Sequence, residues 1–483
     1  MASTESSPVL PLSRTVRLRD GRWGAALLIL NDIAALEFCL FLGYSLRIAV
    51  LPWLPVELGP AQYRGLALGL LAIPVAYGLG GFYPGYGMNP VERLRKRIHT
   101  TGAVFALLLA WDTLVLDRQW SRGILVFTGV FALLLPPFLD ETLRHALARK
   151  GIWQLPVMIL GAGRTGSLLI GLLRANPSLG LKPAVLLDDD PSKWDSQILG
   201  LPVIGPLSMA NHFRGTISTA IVAIRGLDPS RTTQLLREIQ LPHVILLPAL
   251  AETQSLWVTA RDFGGIIGLD FQRHGTSDFN ARLKRSLDLL IAVPLSLLAL
   301  PVLLLAAIAI KLIDRGPVFF SQVRVGLDGH EFSILKLRTM YRDSEMMLLQ
   351  YLEIRPDQKS EWESRFKLKH DPRILPVIGR FLRRFSLDEL PQLIHVLRGE
   401  MSMVGPRPFP PYHLGKFSES FRSLRHSVSP GLTGLWQISA RGDGDLTVQQ
   451  SLDTYYIRNW SPWLDLHILV HTVRAVLLGK GAY

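Results

Sequence analysis

Cysteine is nearly missing from this sequence: Cys39 is the only one in 483 residues. An intramolecular disulfide and a cysteine-based zinc site are both excluded. The twelve histidines show no metal-ligand spacing such as H-E-x-x-H. Acidic residues are outnumbered, 39 Asp and Glu against 52 Lys and Arg, which leaves a net charge of +13. Such an excess suits an anionic partner: nucleic acid, a lipid headgroup surface or a phosphorylated substrate. No helix-turn-helix or RNA-binding signature accompanies it, so nothing supports the first. No Tyr-x-x-x-Lys lies in the stretch 151–272 that carries the glycine-rich turn at Gly161, which deprives a nicotinamide oxidoreductase or epimerase there of its catalytic pair. No small-residue cleavage site follows the apolar stretch Trp23–Val50, which is longer than a signal-peptide core and reads as a retained membrane helix.

Hydrophobic residues are abundant, at 48% of the chain, and mean hydropathy is positive. Together with the length, that predicts two or three domains with membrane segments among them. Four apolar runs come first, at 23–49, 65–83, 101–116 and 123–138, the last two short for a span and one carrying Asp112. Basic clusters flank them in alternation. Arg14, Arg17, Arg19 and Arg22 come before the first run, Arg93, Arg95, Lys96 and Arg97 lie between the second and third, and Arg144, Arg149 and Lys150 follow the fourth. Under the positive-inside rule this predicts a basic segment at 1–22, then four spanning helices within 23–140 with both ends cytoplasmic.

From Gly151 the pattern turns to alternating strand and helix. "LPVMILGAGRTGSLLIGLL" is a strand, the glycines Gly161, Gly163 and Gly166, then a helix. "PAVLLDDD" ends a second strand at Asp188, and "TAIVAI" and "HVILLP" supply two more. A Rossmann-like α/β domain over 151–272 is predicted. Its glycine turn can aim N–H groups at a phosphate, with Gly161, Gly163, Gly166 and Asp188 as candidate nucleotide contacts. A degenerate module that kept the turn and binds nothing fits the same residues.

Residues 287–310 form a further apolar segment, with Arg282, Lys284 and Arg285 before it and Lys311 and Arg315 after it. Pro294 and Pro301 interrupt it, and each removes a helical hydrogen bond. Two basic flanks favour a re-entrant helix at 286–311, broken near Leu300-Pro301 and returning to the face it left. A plain fifth span is the alternative. The remainder, within a domain at 281–483, is basic with short apolar helices. "FSILKLRTM" carries Lys336 and Arg338, "RFLRRFSLDELPQL" carries Arg383, Asp388 and Glu389, and "GEMSMVGPRP" carries Arg407. Arg441 and Asp453 come later. Pro391 predicts a helix start at Leu387 to Leu390, where two carboxylates can border one site and stay ionised beside arginines, as a nucleophile or a metal ligand requires. Ser386-x-x-Glu389 is also the spacing of a capping box.

From Lys284 onward the chain resembles the bacterial sugar transferase family, the monotopic polyprenyl-phosphate phosphoglycosyl transferases. The likeness runs through "KRSLD", "GPVFFSQVRVGLDG", "KLRTM", "SLDELPQL", "GEMSMVGPRP", "PGLTGLWQ" and "LDTYYIRN". With four leading helices and a middle α/β unit, the whole is similar to the large, WbaP-type branch. The resemblance implies a membrane helical bundle, a Rossmann-like α/β domain and a mostly α-helical catalytic domain with a re-entrant helix. It implies Asp388 as nucleophile, Glu389 as a ligand of Mg²⁺, and Arg383 and Arg407 on phosphate. Lys336, Arg338, Arg441 and Asp453 complete the candidate set. The implied partners are a UDP-sugar (galactose, with glucose as the alternative), undecaprenyl phosphate, the bilayer and a second copy of the chain. The implied location is the bacterial inner membrane with the soluble parts cytoplasmic. Members of the family break the re-entrant helix at Ser-Pro; here the pair is Leu300-Pro301, so the break rests on Pro301.

Overall fold

The computed structural model describes residues 21–50, 60–116, 120–247, 258–262, 267–271, 278–355, 371–439 and 446–478, apart from Arg225, Leu227 and Lys416. The predicted basic segment before Gly21 and the candidate Arg441 lie outside the described residues. The chain divides into two compact units, Met1–Thr253 and Gln254–Tyr483.

The first unit opens with α1 (Gly21–Val50), α2 (Pro60–Leu70), α3 (Ala72–Leu79), α4 (Pro90–Leu114) and α5 (Arg122–Arg149). The predicted second run is thus two helices that break at Leu71. Pro74 has no N–H for the Leu70 carbonyl, and its ring crowds that position. The third run is only the C-terminal part of α4, whose N-cap is Asn89, accepting from the Val91 N–H. Two helices of this unit are long and apolar enough to cross a membrane, Trp23–Val50 and Arg122–Arg149; Asn280–Ile313 in the second unit is a third. Leu36, Leu40, Leu66, Leu70, Ile73 and Ile124 form the core between α1, α2, α3 and α5.

Five charges, Asp32, Arg93, Arg97, Asp140 and Arg144, are buried in this bundle, with the half-buried Glu141 beside them. Arg97 binds Asp32 with both terminal nitrogens, at 2.9 and 2.7 Å, and Asp140 at 3.0 Å. Arg144 Nε lies 2.9 Å from Asp140, and Arg93 3.1 Å from Glu141. Three acids offset three arginines, which is what allows them to be buried. Arg93 also donates to the Ser178 carbonyl (2.9 Å), and Trp153 Nε1 to that of Pro84 (2.9 Å). These bonds fasten the helices to the α/β part of the same unit.

That part is a parallel sheet in the order β2 (Leu181–Leu187), β1 (Leu155–Leu160), β5 (Thr219–Val222), β6 (His243–Leu246). A small hairpin, β3 (Gln197–Ile198) and β4 (Leu201–Pro202), follows β2. Helix α6 (Arg164–Ala175) follows β1, and α7 (Pro229–Glu238) connects β5 to β6. The inner strands are buried along nearly their whole length, the pattern of a sheet covered on both faces.

The second unit begins with the antiparallel pair β7 (Val258–Asp262) and β8 (Ile267–Phe271), which the sequence reading had assigned to the α/β domain. Helix α8 (Asp278–Ile313) follows, unbroken in its hydrogen-bonded assignment and containing Pro294 and Pro301. Next come the hairpin β9 (Phe319–Val325) and β10 (Glu331–Leu337), α9 (Ser344–Ile354) and α10 (Ile378–Arg384). A 3-10 turn at Leu387–Gln392 runs into α11 (Leu393–Arg398). The short strands β11 (Ser402–Val404) and β12 (Gly431–Thr433) pair in parallel. The remaining helices are α12 (Pro411–Leu414), α13 (Glu419–His426), α14 (Leu435–Ser439), α15 (Leu446–Arg458) and α16 (Pro462–Leu478).

Candidate active site

Ser386 has a left-handed backbone (φ 55°, ψ 24°), uncommon for a residue with a side chain. It turns the chain out of α10 so that Leu387, Asp388 and Glu389 open the 3-10 turn. The capping box does not form: the Ser386 side chain caps nothing, and the Glu389 carboxylate points elsewhere. Its Oε1 accepts from Lys336 Nζ at 2.6 Å and from Arg407 Nη2 at 2.8 Å.

Each cation reaches Glu389 from a separately anchored element. Lys336 sits on β10, whose Leu335 N–H donates to His395 Nε2 (3.1 Å) on α11. His395 is therefore protonated on Nδ1, which donates to Glu400 (2.6 Å). Arg407 leaves β11, beside a crossing where β12 presses against it. A Cβ on Gly431 would lie 2.0 Å from the Gly405 nitrogen, so this contact admits only glycine. The N-terminal end of α8 is tied to the same strands. Asp288 Oδ1 accepts from Ser402 Oγ and the Met403 N–H, both at 3.0 Å, and Lys284 reaches the Val404 carbonyl (2.9 Å) and Asp465 (2.6 Å). That accounts for the "KRSLD" motif.

Asp388 has no hydrogen-bonded partner among the described residues, although Lys336, Arg383 and Arg407 all act on its charge. Burial and the neighbouring Glu389 charge raise its pKa, and the three cations oppose them. Burial also works against the Glu389 charge, yet Arg407 and Lys336 hold that carboxyl well below its ordinary range. Burial lowers Lys336, with Glu389 opposing. The two acids thus divide: Glu389 is neutralised by bonded cations, and Asp388 is left unbonded beside them.

The other candidates separate into near and far. Arg383 belongs to the cluster, with Nε donating to Thr339 Oγ1 at 2.8 Å. Arg338 binds Asp314, at the end of α8, through the carboxylate (2.9 Å) and the carbonyl (2.6 Å). Asp453 binds Arg425 at 2.7 Å and is buried. Sequence reasoning missed Arg324, His395 and Arg425: the bonds that tie the first two to the site span 84 and 60 residues, and Arg425 carries no local signal. In the first unit, Asp188 Oδ2 accepts from the Ala162 N–H (2.7 Å), inside the glycine turn, and Lys193 covers the same carboxylate at 3.1 Å. Gly161 is left-handed (φ 111°), and a Cβ on Gly166 would meet its carbonyl at 2.0 Å, whereas one on Gly163 would meet open space.

The family model for bacterial sugar transferases matches residues 279–479, the region that contains every element of this cluster. The undecaprenyl-phosphate galactose phosphotransferase of Salmonella typhimurium is 33% identical over 394 residues, 80% of this chain and 82% of its own. The chain belongs to the bacterial sugar transferase family. Two further members bracket it. The UDP-glucose:undecaprenyl-phosphate glucose-1-phosphate transferase of Escherichia coli is 32% identical over 342 residues, 68% of each chain. The exopolysaccharide production protein ExoY of Rhizobium meliloti is 44% identical over 200 residues, which are 41% of this chain but 88% of ExoY.

A magnesium ion, implied by the resemblance, suits this donor set. Such an ion takes one or two carboxylates together with phosphate and water oxygens. Both cations on Glu389 occupy Oε1, which leaves Oε2 and the unbonded Asp388 carboxylate as hard oxygen donors.

Proposed function

We propose that this transferase moves a hexose-1-phosphate, galactose-1-phosphate first among candidates, from a UDP-sugar to undecaprenyl phosphate and releases UMP, as a membrane step of polysaccharide synthesis. The observation that carries the reading is the unbonded Asp388 carboxylate beside Lys336, Arg383 and Arg407. Asp388 attacks the β-phosphorus of the UDP-sugar; its new P–O bond replaces the bond to UMP, which leaves with the electron pair. An oxygen of the lipid phosphate then attacks the same phosphorus, and the Asp388 carboxylate is released. Arg383 and Arg407 hold the phosphoryl oxygens as charge builds on them. Lys336 keeps Glu389 ionised and fixed. Glu389 is the residue to hold magnesium, which when bound neutralises phosphoryl charge.

The re-entrant reading of α8 is part of the proposal, and its support is geometric. Arg285 donates to the Val396 (2.5 Å) and Leu397 (2.8 Å) carbonyls of α11, while Ala306 and Ile310 pack in the cluster of Leu337, Leu375 and Leu382 that also takes in Leu387. Arg285 and Ile310 in a straight helix would be about 37 Å apart. Leu387 and Leu397, on consecutive elements, span no more than about 20 Å at the rise of a 3-10 helix. A bend at Pro294 or Pro301 would bring the two ends of α8 closer to these anchors than a straight helix does. Between the anchored ends, Leu290, Leu297, Leu298, Leu304 and Leu305 are exposed, the face a single leaflet would cover.

We also read α1, the α2–α3 pair, α4 and α5 as four crossings of the bacterial inner membrane with the soluble parts cytoplasmic. Support comes from exposed Leu68, Leu79, Leu107 and Leu114 on the shorter helices. We propose that the α/β part, with its parallel sheet and glycine turn, serves without a nucleotide: the Ala162 N–H that would meet a pyrophosphate donates to Asp188 instead. The test is purified full-length protein with undecaprenyl phosphate and a panel of UDP-sugars. UMP release with UDP-galactose or UDP-glucose is the expected result; intact protein that releases none with any donor would reject the reaction.

A further inference from the structure

The segment Gly405–Phe409 has no regular structure, and Pro406 and Pro408 contribute no N–H. It cannot satisfy its own backbone, and its four carbonyls from Pro406 to Phe409 are bonded from outside. Pro406 O accepts from the Gly431 N–H (2.9 Å) and Phe409 O from the Val325 N–H (2.9 Å). The two carbonyls between them are held by guanidinium groups: Arg407 O by Arg425 Nη2, and Pro408 O by Arg324 Nη1 at 3.0 Å. Arg425 lies with its guanidinium carbon 3.9 Å from the centre of the Phe409 ring, and its Nη1 donates to Asp453 (2.7 Å). Arg425 is 7% exposed and Asp453 3%.

We propose that Arg425, oriented by Asp453, is a positioning residue that sets where the Arg407 side chain meets Glu389, with Arg324 holding the next carbonyl. This rests on the phosphoryl-transfer reading of Arg407. A buried ion pair is a poor way to gain stability, since apolar side chains of similar size do as well or better. What the pair supplies is a directed donor at one carbonyl. Arg407 Nη2 is placed 2.8 Å from Glu389 by a chain whose main-chain position Arg425 fixes. Misplacement of a charged group by about 1 Å is enough to cost about a hundredfold in rate. Asp453 therefore acts through Arg425 and not by touching phosphate.

The test is a double-mutant cycle on the full chain, with UMP release as one readout and, as the other, hydrogen exchange at the Gly405, Gly431 and Val325 amides that anchor this segment. Arg425→Met keeps the bulk on the Phe409 ring and removes both directed bonds. It is expected to lower kcat/KM about tenfold to a hundredfold, and less than about threefold when Arg407 is already Ala, because coupled residues are not additive. Exchange at these three amides should rise while the 387–398 segment stays protected. Equal losses in the two backgrounds, or unchanged exchange, would overturn the proposal. If Arg425→Met does not fold, Asp453→Asn is put through the same cycle and judged by the same criterion. Local exchange that rises in a protein whose wild type releases no UMP would reject the reaction and leave the positioning role standing.

Discussion

Lys336 Nζ lies 2.6 Å from Glu389 Oε1, joining the second strand of a hairpin to a turn 53 residues later. Arg407 completes the arrangement from the other side of the site at 2.8 Å. Glu389 is a counter-ion for both cations and is not free to act as a nucleophile; Asp388, next to it, is.

Glu389→Gln should therefore do two things. It leaves Lys336 and Arg407 without a counter-charge, at a cost of about 1–3 kcal/mol, the lower end because an amide oxygen still accepts a hydrogen bond and the site is 17% exposed. It should also lower UMP release at least about a hundredfold and abolish the response to added Mg²⁺. Near-normal activity with only a small stability loss would remove Glu389 from the chemistry.

Asp388→Asn should abolish turnover with little effect on folding, because Asp388 makes no hydrogen bond among the described residues for the amide to lose. The readout is UMP release together with trapping of radiolabelled phosphosugar on the protein. More than a few per cent of activity, in a preparation free of wild-type enzyme, would exclude the covalent route.

How far the sequence carried the structure depended on how local each signal was. Pro391 marked the turn that holds Asp388 and Glu389, and the apolar runs that end at Gly161 and Asp188 became the first two strands of the parallel sheet. Charges with distant partners were misjudged. Arg93, Arg97 and Arg144 read as basic flanks that set topology, yet they are buried against Asp32, Asp140 and Glu141, and a partner 65 residues away leaves no mark in a local window. Asp112, out of place in an apolar run, accepts from the Trp120 N–H at 2.8 Å. Arg338 and Asp453 stood near the right motifs but belong to other pairs. Arg425 carried no signal, because it bonds the backbone of a loop and an acid 28 residues further on.

Labels on the two ends of α8 test its path. Cysteines at Arg282 and Lys311, both exposed, should react with an impermeant reagent only from the cytoplasmic face, in a Cys39→Ser background. Reaction of the second from the opposite face would establish a full crossing.

Burial pushes Asp453 up to about 6 in the folded protein, against the pull of Arg425. Its unfolded value is about 3.9, so the native state binds the proton more readily between the two. Stability from this group falls as pH rises through 6 and is recovered as pH falls toward 4. Between pH 7 and pH 5, wild type should gain about 1 kcal/mol relative to Asp453→Asn. Parallel pH profiles of thermal unfolding for the two proteins would show that the carboxyl is not raised.

The last expectation concerns which part of the chain suffices. Every residue assigned to phosphoryl transfer lies after Asp278, and α8 brings its own anchors, Lys284 and Asp288 at one end and Ile310 at the other. The bonds that fasten the helical bundle, through Arg93, Arg144 and Trp153, all end on residues of the first unit. A protein beginning at about residue 278 should therefore bind membranes and release UMP at a rate within about tenfold of the full chain, a loss of no more than about 1.4 kcal/mol in transition-state stabilisation. Folded, membrane-bound and inactive protein would mean that the first unit contributes to the active site, and that the cluster around Asp388 is only part of it.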